Sequence, residues 1–469
     1  MFSRVRVFLL VGLGMGASWA AQSWAAQNSA TQTNSAQSAF ASIEQVKAPT
    51  DIHSAFTVSP SKAKGNFDPP LTLNKVKLSL NKSALEKEFL LQGAFIPQPA
   101  AAMGNGIKSR VVAFRQRDGK LYMLEATQGH SVTTDLPQNL ILAEMPIVEE
   151  TDTSITFDFN KGMSNLFFMG DWSAHDLDGA DYDEGSRFSS VKVNSSFIES
   201  AEMTANNHLV IRQIAQLLLP YGVENFNLPV EVKYYLSPYN PSADFKPVES
   251  IKYDRTGYFE VAGQLTQQGT VKTYASKFNL NKPIVYAVSS NTPAEFKQAV
   301  KDGILYWNTV AGRTIVEAID APEGVVAPDI NYNVIQWVPY DQAGFAYADA
   351  QMDPRTGEIL HAQVYLTSAF AYLGVERAKA LYLFKNDDKK STRPSVGLKG
   401  LSQAGMCDFD STEAIARSFS TVMAVAGDDA KYLRLAQDYV RQVTAHEVLH
   451  TAGLRHNFAG SLSASYPLA

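Results

Sequence analysis

The sequence predicts an α+β protein: a β-rich amino-terminal module, then a region in which strands and helices alternate ahead of one long helix near the carboxyl end. Three observations carry this. Between about residues 70 and 275 the apolar runs are short, strand-like and separated by turn-forming residues. After about residue 280, strand and helix patterns alternate. Over residues 431–450 an apolar stripe recurs at helical spacing. The 469 residues are accordingly divided into segments 1–25, 26–66, 67–275 and 276–469.

In segment 1–25, Arg4 and Arg6 precede the apolar run from Val7 to Met15, and small residues follow in Ser18-Trp19-Ala20 and Ser23-Trp24-Ala25. This is the pattern of a secretory signal peptide, with cleavage expected after Ala20 or Ala25. The Gly12-x-Gly14-x-Gly16 run lies inside it and is not read as a phosphate loop. No other segment offers enough uninterrupted apolar residues to span a bilayer, so the mature chain is expected to be exported, to the periplasm or the extracellular space, without a membrane span. The single cysteine, Cys407, excludes an intramolecular disulfide and is read as a free, partly buried thiol rather than a cap on a metal. With 41 basic and 47 acidic residues the formal charge is −6, which gives no electrostatic reason to expect nucleic acid or an anionic membrane as partner. Residues 26–66, rich in Ser, Ala, Gln and Thr, are read as a flexible lead-in.

In segment 67–275 the clearest signal is Asp118-Gly119, a hairpin turn between Val111–Phe114 and Leu121–Leu124. Further strands are expected at Leu140–Val148, Ser154–Phe159, Leu209–Leu217 and Val230–Leu236. One loop concentrates acid in Asp171, Asp176, Asp178, Asp181, Asp183 and Glu184. Its spacing fails the EF-hand pattern, so it is read as a solvated loop rather than a calcium site.

Segment 276–469 opens with a strand at Pro283–Val288. Thr292-Pro293-Ala294-Glu295 then reads as a capping box with proline at the first helical position, followed by the stripe Phe296, Val300, Ile304, Trp307 and Ala311. Strands are expected at Thr314–Ala318, Asn333–Val338, Gly344–Asp349 and Ile359–Leu366, the last two separated by the turn Asp353-Pro354-Arg355-Thr356-Gly357. Residues 385–405 read as an insertion before a helical region starting near Ser411.

The long helix carries Leu433, Ala436, Val440 and Val443 on an apolar stripe, with Tyr439 beside it, and Lys431, Arg434, Asp438 and Arg441 on a polar one. It ends in His446-Glu447-Val448-Leu449-His450-Thr451-Ala452-Gly453-Leu454-Arg455-His456. Histidines four apart project from one helix face about a turn apart, where both imidazoles reach one metal ion. Gly453 tolerates the left-handed conformation that ends a helix and turns the chain back, which brings His456 in as third ligand. Three nitrogen ligands with a fourth position left to water describe a catalytic zinc site, and Glu447 is placed to act on that water as general base. A bare H-E-x-x-H also occurs on ordinary helices, but the glycine and third histidine at these offsets set this one apart from chance.

The full pattern H-E-x-x-H-x-x-G-x-x-H resembles the metzincin clan of zinc endopeptidases. Together with Arg255-Thr256-Gly257-Tyr258-Phe259, Tyr306-Trp307-Asn308, Asn333–Val338, Asp353–Glu358 and Gly453–Phe458, it is similar to large exported bacterial metalloproteases with a β-rich region ahead of a metzincin domain. The resemblance implies a mixed sheet plus active-site helix, the upper subdomain of a metzincin-like catalytic domain. It also implies Zn2+ as cofactor, a protein or peptide substrate, and an exposed edge strand to which an extended substrate adds, for which Ile359–Leu366 is the candidate. It further implies a methionine turn downstream of the third histidine. The thirteen residues after His456 hold no methionine, so the chain is expected to be truncated before that turn. Two other readings compete: a secreted non-catalytic binding protein or inactive fragment with a structural or vestigial zinc site, and a different H-E-x-x-H hydrolase whose third ligand is a distant glutamate.

Overall fold

The computed structural model describes residues 51–59, 76–96, 106–126, 140–167, 190–221, 224–250, 257–261, 264–265, 270–339, 346–368, 406–407 and 429–455. The expected signal peptide, the acidic loop, the insertion at 385–405, the start of the helical region near Ser411 and the ligand His456 lie outside the described residues. So does the Cys407 side chain.

The amino-terminal half is two antiparallel sheets. The first joins β1 (Phe56–Ser59), β2 (Lys77–Asn81), β7 (Ile147–Glu150) and β8 (Ser154–Phe157) in the order β1-β2-β8-β7. The second has eight strands, ordered β6-β5-β4-β3-β12-β11-β10-β9. These are β3 (Glu88–Ile96), β4 (Gly106–Arg117), β5 (Lys120–Glu125), β6 (Leu140–Met145), β9 (Asn165–Phe167), β10 (Ser190–Met203), β11 (Leu209–Tyr221) and β12 (Glu224–Pro238). The β4–β5 hairpin forms as expected: Arg117 pairs with Lys120, and both Asp118 and Gly119 have positive φ, which lets the turn follow the strand twist.

Two expectations are corrected in this half. Leu140–Val148 is not one strand: Pro146 has no N–H for a ladder, and the run splits there into β6 in the large sheet and β7 in the small one. The lead-in is structured over residues 51–59, where Asp51 caps a helical turn α1 (Ile52–Ala55) and β1 follows. Ile52, Ala55 and Phe56 are buried in a core built from both sheets, in which Phe56, Phe89 and Phe114 meet edge to face at 5.4–6.0 Å. Burying each such ring contributes about 2 kcal/mol or more.

The carboxyl half is a mixed sheet ordered β17-β16-β18-β20-β19-β21, with β15 (Lys277–Phe278) also pairing with β20. Its strands are β16 (Ile284–Val288), β17 (Val316–Asp320), β18 (Asn333–Val338), β19 (Ala346–Met352), β20 (Glu358–Thr367) and β21 (Met406–Cys407). A separate short pair, β13 (Gln264–Leu265) and β14 (Val271–Lys272), precedes it. Strands β16, β17, β18 and β20 run parallel, and helix α3 (Ala294–Ala311) makes the crossover from β16 to β17. The single-turn α2 (Phe159–Gly162) belongs to the first half.

Strand β20 is not the exposed edge. The Asp353–Gly357 turn folds β19 against one side of it and β18 pairs in parallel with the other, so Ile359–Leu366 lies inside the sheet. The capping box is also absent: the Thr292 hydroxyl bonds Ser289 Oγ at 3.0 Å, and α3 starts behind Pro293 without a side-chain cap. Of its predicted stripe, Phe296, Val300 and Ile304 are buried, Trp307 is half-buried and Ala311 is exposed.

One face of the mixed sheet packs Ile359, Ala362, Val364 and Leu366 against α3 and α4 (Asp429–Thr451). Its other face meets the large sheet of the first half through polar bonds. Gln351 Nε2 donates to Gly93 O (2.6 Å), Tyr235 Oη donates to Pro328 O (2.6 Å), and Arg355 grips Glu88 at 2.7 and 2.8 Å. All these elements lie in one compact unit, residues 48–469.

Candidate metal centre

Helix α4 is positioned before any ligand is considered. Ala436, Val440, Val443 and Val448 are buried in the same core as Phe296, Val300 and Ile304 of α3. The two helices touch at Gly303, where a Cβ would stand 2.5 Å from Arg441 O and 2.8 Å from Thr444 Cβ, so only glycine permits the approach. Hydrogen bonds brace both ends: Gln437 Nε2 donates to Glu295 O (2.7 Å), and Trp307 Nε1 donates to Ala445 O (2.8 Å), one residue before the motif. From the sheet, Tyr286 Oη meets Thr451 Oγ1 at 2.6 Å. Thr451 spends its own hydrogen on Val448 O, so Tyr286 is the donor, and burial raises its phenol pKa, which keeps that hydrogen in place.

The exit from α4 is a Schellman cap. Gly453, at φ +96°, donates its N–H to His450 O (2.8 Å), and Leu454 N–H donates to Leu449 O (3.2 Å). Gly453 thus ends the helix in the expected left-handed conformation, with a second reason for glycine: its Cα sits so close to Ser276 that a Cβ would lie 2.1 Å from Ser276 O. The turned chain is then taken up by residues 257–259. Phe259 N donates to Gly453 O (2.7 Å), Arg455 N donates to Gly257 O (3.1 Å), and Tyr258 bridges Leu454 antiparallel. The same segment is tied on its other side by Ser276 N to Phe259 O (2.8 Å). A small ladder therefore fixes the backbone up to the residue that precedes His456.

The histidines converge. His446 Nε2 and His450 Nε2 face each other at 2.9 Å, with ring centroids 4.6 Å apart. His450 Nδ1 lies 2.7 Å from Leu454 O; a carbonyl only accepts, so Nδ1 carries a proton and Nε2 is directed at His446. Two nitrogens on a tetrahedral zinc at 2.0–2.1 Å are about 3.3 Å apart, so the observed separation is within a few tenths of an ångström of the bite a zinc ion requires. The Phe259 ring lies edge to face with that of His450, centroids 6.1 Å apart, and Glu447 is fully buried at 0% exposure between the two histidines in sequence. His446 is half-buried and His450 is 7% exposed, so the pair borders solvent on one side.

Among the described residues no group of three His, Cys, Asp or Glu side chains is placed to hold a metal ion, and the set on this helix is two histidines. The donor chemistry fits zinc: two neutral-capable imidazoles with facing nitrogens, one locked by a backbone carbonyl. Sequence reasoning singled out these two histidines and missed what holds them. Gly257-Tyr258-Phe259 and Trp307 had entered only as motif resemblance, and here they clamp the two ends of the ligand segment. Asn308, from the same motif, receives Ile315 N and Val316 N on its Oδ1 (2.7 and 3.0 Å), tying α3 to β17.

The comparisons with known proteins agree with this geometry over the same stretch. A protein-family model described as Met-zincin matches residues 429–467, which begins at the first residue of α4 and runs through its turn. No curated protein and no solved structure matches the chain. Over residues 429–467 the chain is thus similar to a metzincin element.

Proposed function

We propose that the protein is a zinc-dependent endopeptidase, with His446, His450 and His456 as metal ligands and Glu447 as general base. The observation that carries this is the facing of the two Nε2 atoms at 2.9 Å on a helix whose end is turned back by Gly453. Bound there, zinc would supply Lewis-acid polarisation of a peptide carbonyl and a water acidified to a pKa of about 7. The chain's own residues do the rest. Glu447 accepts the proton of the attacking water on a carboxylate oxygen and delivers it to the nitrogen of the departing amine. His450 is held in one tautomer by Leu454 O, and the ladder at 257–259 holds the chain through Arg455. Tyr286 and Trp307 resist rotation of α4 as substrate binds.

The amino-terminal pattern of residues 1–25 supports export, with removal of that segment from the mature protein; intact mass of the secreted chain tests this. The catalytic reading is tested with Glu447→Gln, an isosteric change that leaves the imidazoles alone. It should retain zinc and lose cleavage of an unfolded protein by at least about 100-fold. Undiminished cleavage by that variant would remove Glu447 from the role. A chain that holds zinc and cleaves nothing would favour the non-catalytic reading.

A further inference from the structure

Between the two halves, remote from the zinc helix in sequence, lies a cavity of about 350 Å³ whose walls come from β3, the Asn206–His208 turn, the residues after β12, and the start of β20. Several of its polar groups are buried and incompletely bonded. Gln92 is 2% exposed, and its Nε2 has no hydrogen-bond partner among the described residues. His361 is equally buried, with neither ring nitrogen partnered. His208 hydrogen-bonds the Asn206 backbone while its Nδ1 is unpartnered, and Glu358 is bonded by Ser242 and Asn279 while its Oε2 is not. Asp353 is satisfied, receiving Tyr239 Oη and Arg355 N, and adds a second buried carboxylate.

These vacancies specify a ligand. A buried donor or acceptor left unmade costs about 1–3 kcal/mol, so a fold that keeps several around one cavity favours a molecule that completes them. The acceptors, Glu358 Oε2 and His208 Nδ1, share the cavity with one further carboxylate, Asp353, and ask for a positively charged donor. The donor, the Gln92 amide, asks for a neutral acceptor, because a ligand carboxylate would face Asp353 and Glu358. Burial raises the pKa of both carboxyls above the usual range; Arg355 partly offsets this at Asp353, while at Glu358 the neighbouring Asp353 and Asp244 add to it.

We propose that this cavity binds the amino terminus of a peptide, with Glu358 and His208 accepting from the α-ammonium group and Gln92 donating to the first carbonyl oxygen. Such a site lies on the seam between the halves, so its occupancy would tighten their contact. It does not rest on the zinc reading.

Isothermal titration of the mature chain with glycylglycine tests it, run in parallel on His450→Ala so that binding at the zinc centre is not counted. The expected result is one site with a dissociation constant of about 1 mM or tighter in both proteins. N-acetylglycylglycine, which lacks the ammonium, should bind at least tenfold more weakly, and glycine, whose carboxylate replaces the neutral carbonyl, should do the same. Glu358→Gln should lose tenfold or more, with its far-ultraviolet circular dichroism checked for folding. The acetylated probe on the unaltered protein keeps the test decisive if that variant misfolds. Absence of binding, equal binding of the acetylated dipeptide, or binding that survives Glu358→Gln in a folded protein would each overturn the proposal.

Discussion

Replacing Gly453 by Ala should damage stability and metal affinity together, and both magnitudes follow from the geometry. At φ +96° an alanine is outside the regions L-residues prefer, at a cost of about 1–2 kcal/mol. Its Cβ would stand 2.1 Å from Ser276 O, a backbone atom whose own residue is bonded to Phe259. Restoring van der Waals distance requires roughly 1 Å of separation between the two backbones, and such overpacking costs about 1–3 kcal/mol. The two terms give a loss of about 2–5 kcal/mol, read as a fall in the urea midpoint of the metal-free chain. The displaced atoms include Leu454 O, which orients His450, and the strand that leads to His456. Disturbing a ligand's outer partner lowers metal affinity by about 10–100-fold, measured by competition with a chromophoric chelator. An alanine variant with the parental urea midpoint and zinc affinity within twofold of the parent would refute the reasoning that this glycine builds the site.

Two further outcomes are expected. Gly303→Ala pushes α3 away from Arg441 O and Thr444, and should lower stability by about 1–3 kcal/mol in urea unfolding. Burial, then the neighbouring His208 and Lys233, holds His361 at a pKa of about 3 against an ordinary 6.5. The folded state therefore keeps this imidazole neutral while the unfolded state protonates it. Stability should fall as pH drops from about 6.5 towards 3, with a slope of up to about 1.4 kcal/mol per pH unit, and His361→Phe should flatten that slope in urea midpoints measured at pH 5 and 7.

What was legible in the sequence was local. The Asp118-Gly119 hairpin could be read because both turn residues must adopt positive φ. The facing of His446 and His450 on α4 could be read because their spacing is a helix period, and the exit at Gly453 because a residue at +96° needs to be glycine. The misreadings concern choices made by distant partners. Nothing within Ile359–Leu366 says that β18 will pair on one side and β19 on the other, and nothing in Thr292 says that its hydroxyl will prefer Ser289 Oγ to the helix. The clamp at 257–259 works largely through backbone N–H and C=O groups, which any residue carries, so its side chains gave no chemical signal. The seam cavity assembles Gln92, His208 and the β20 pair Glu358 and His361 from three separate parts of the chain, with no shared spacing to betray it.

The central claim is that the end of α4 is a zinc centre built on His446 and His450. Zinc content of the purified mature chain, measured by plasma mass spectrometry beside His450→Ala, tests it most directly. The account predicts about one tightly held zinc per chain, lost in the variant while the circular dichroism spectrum stays that of a folded protein. A folded parent chain without zinc after exposure to the metal, or a variant that keeps it, would contradict the account.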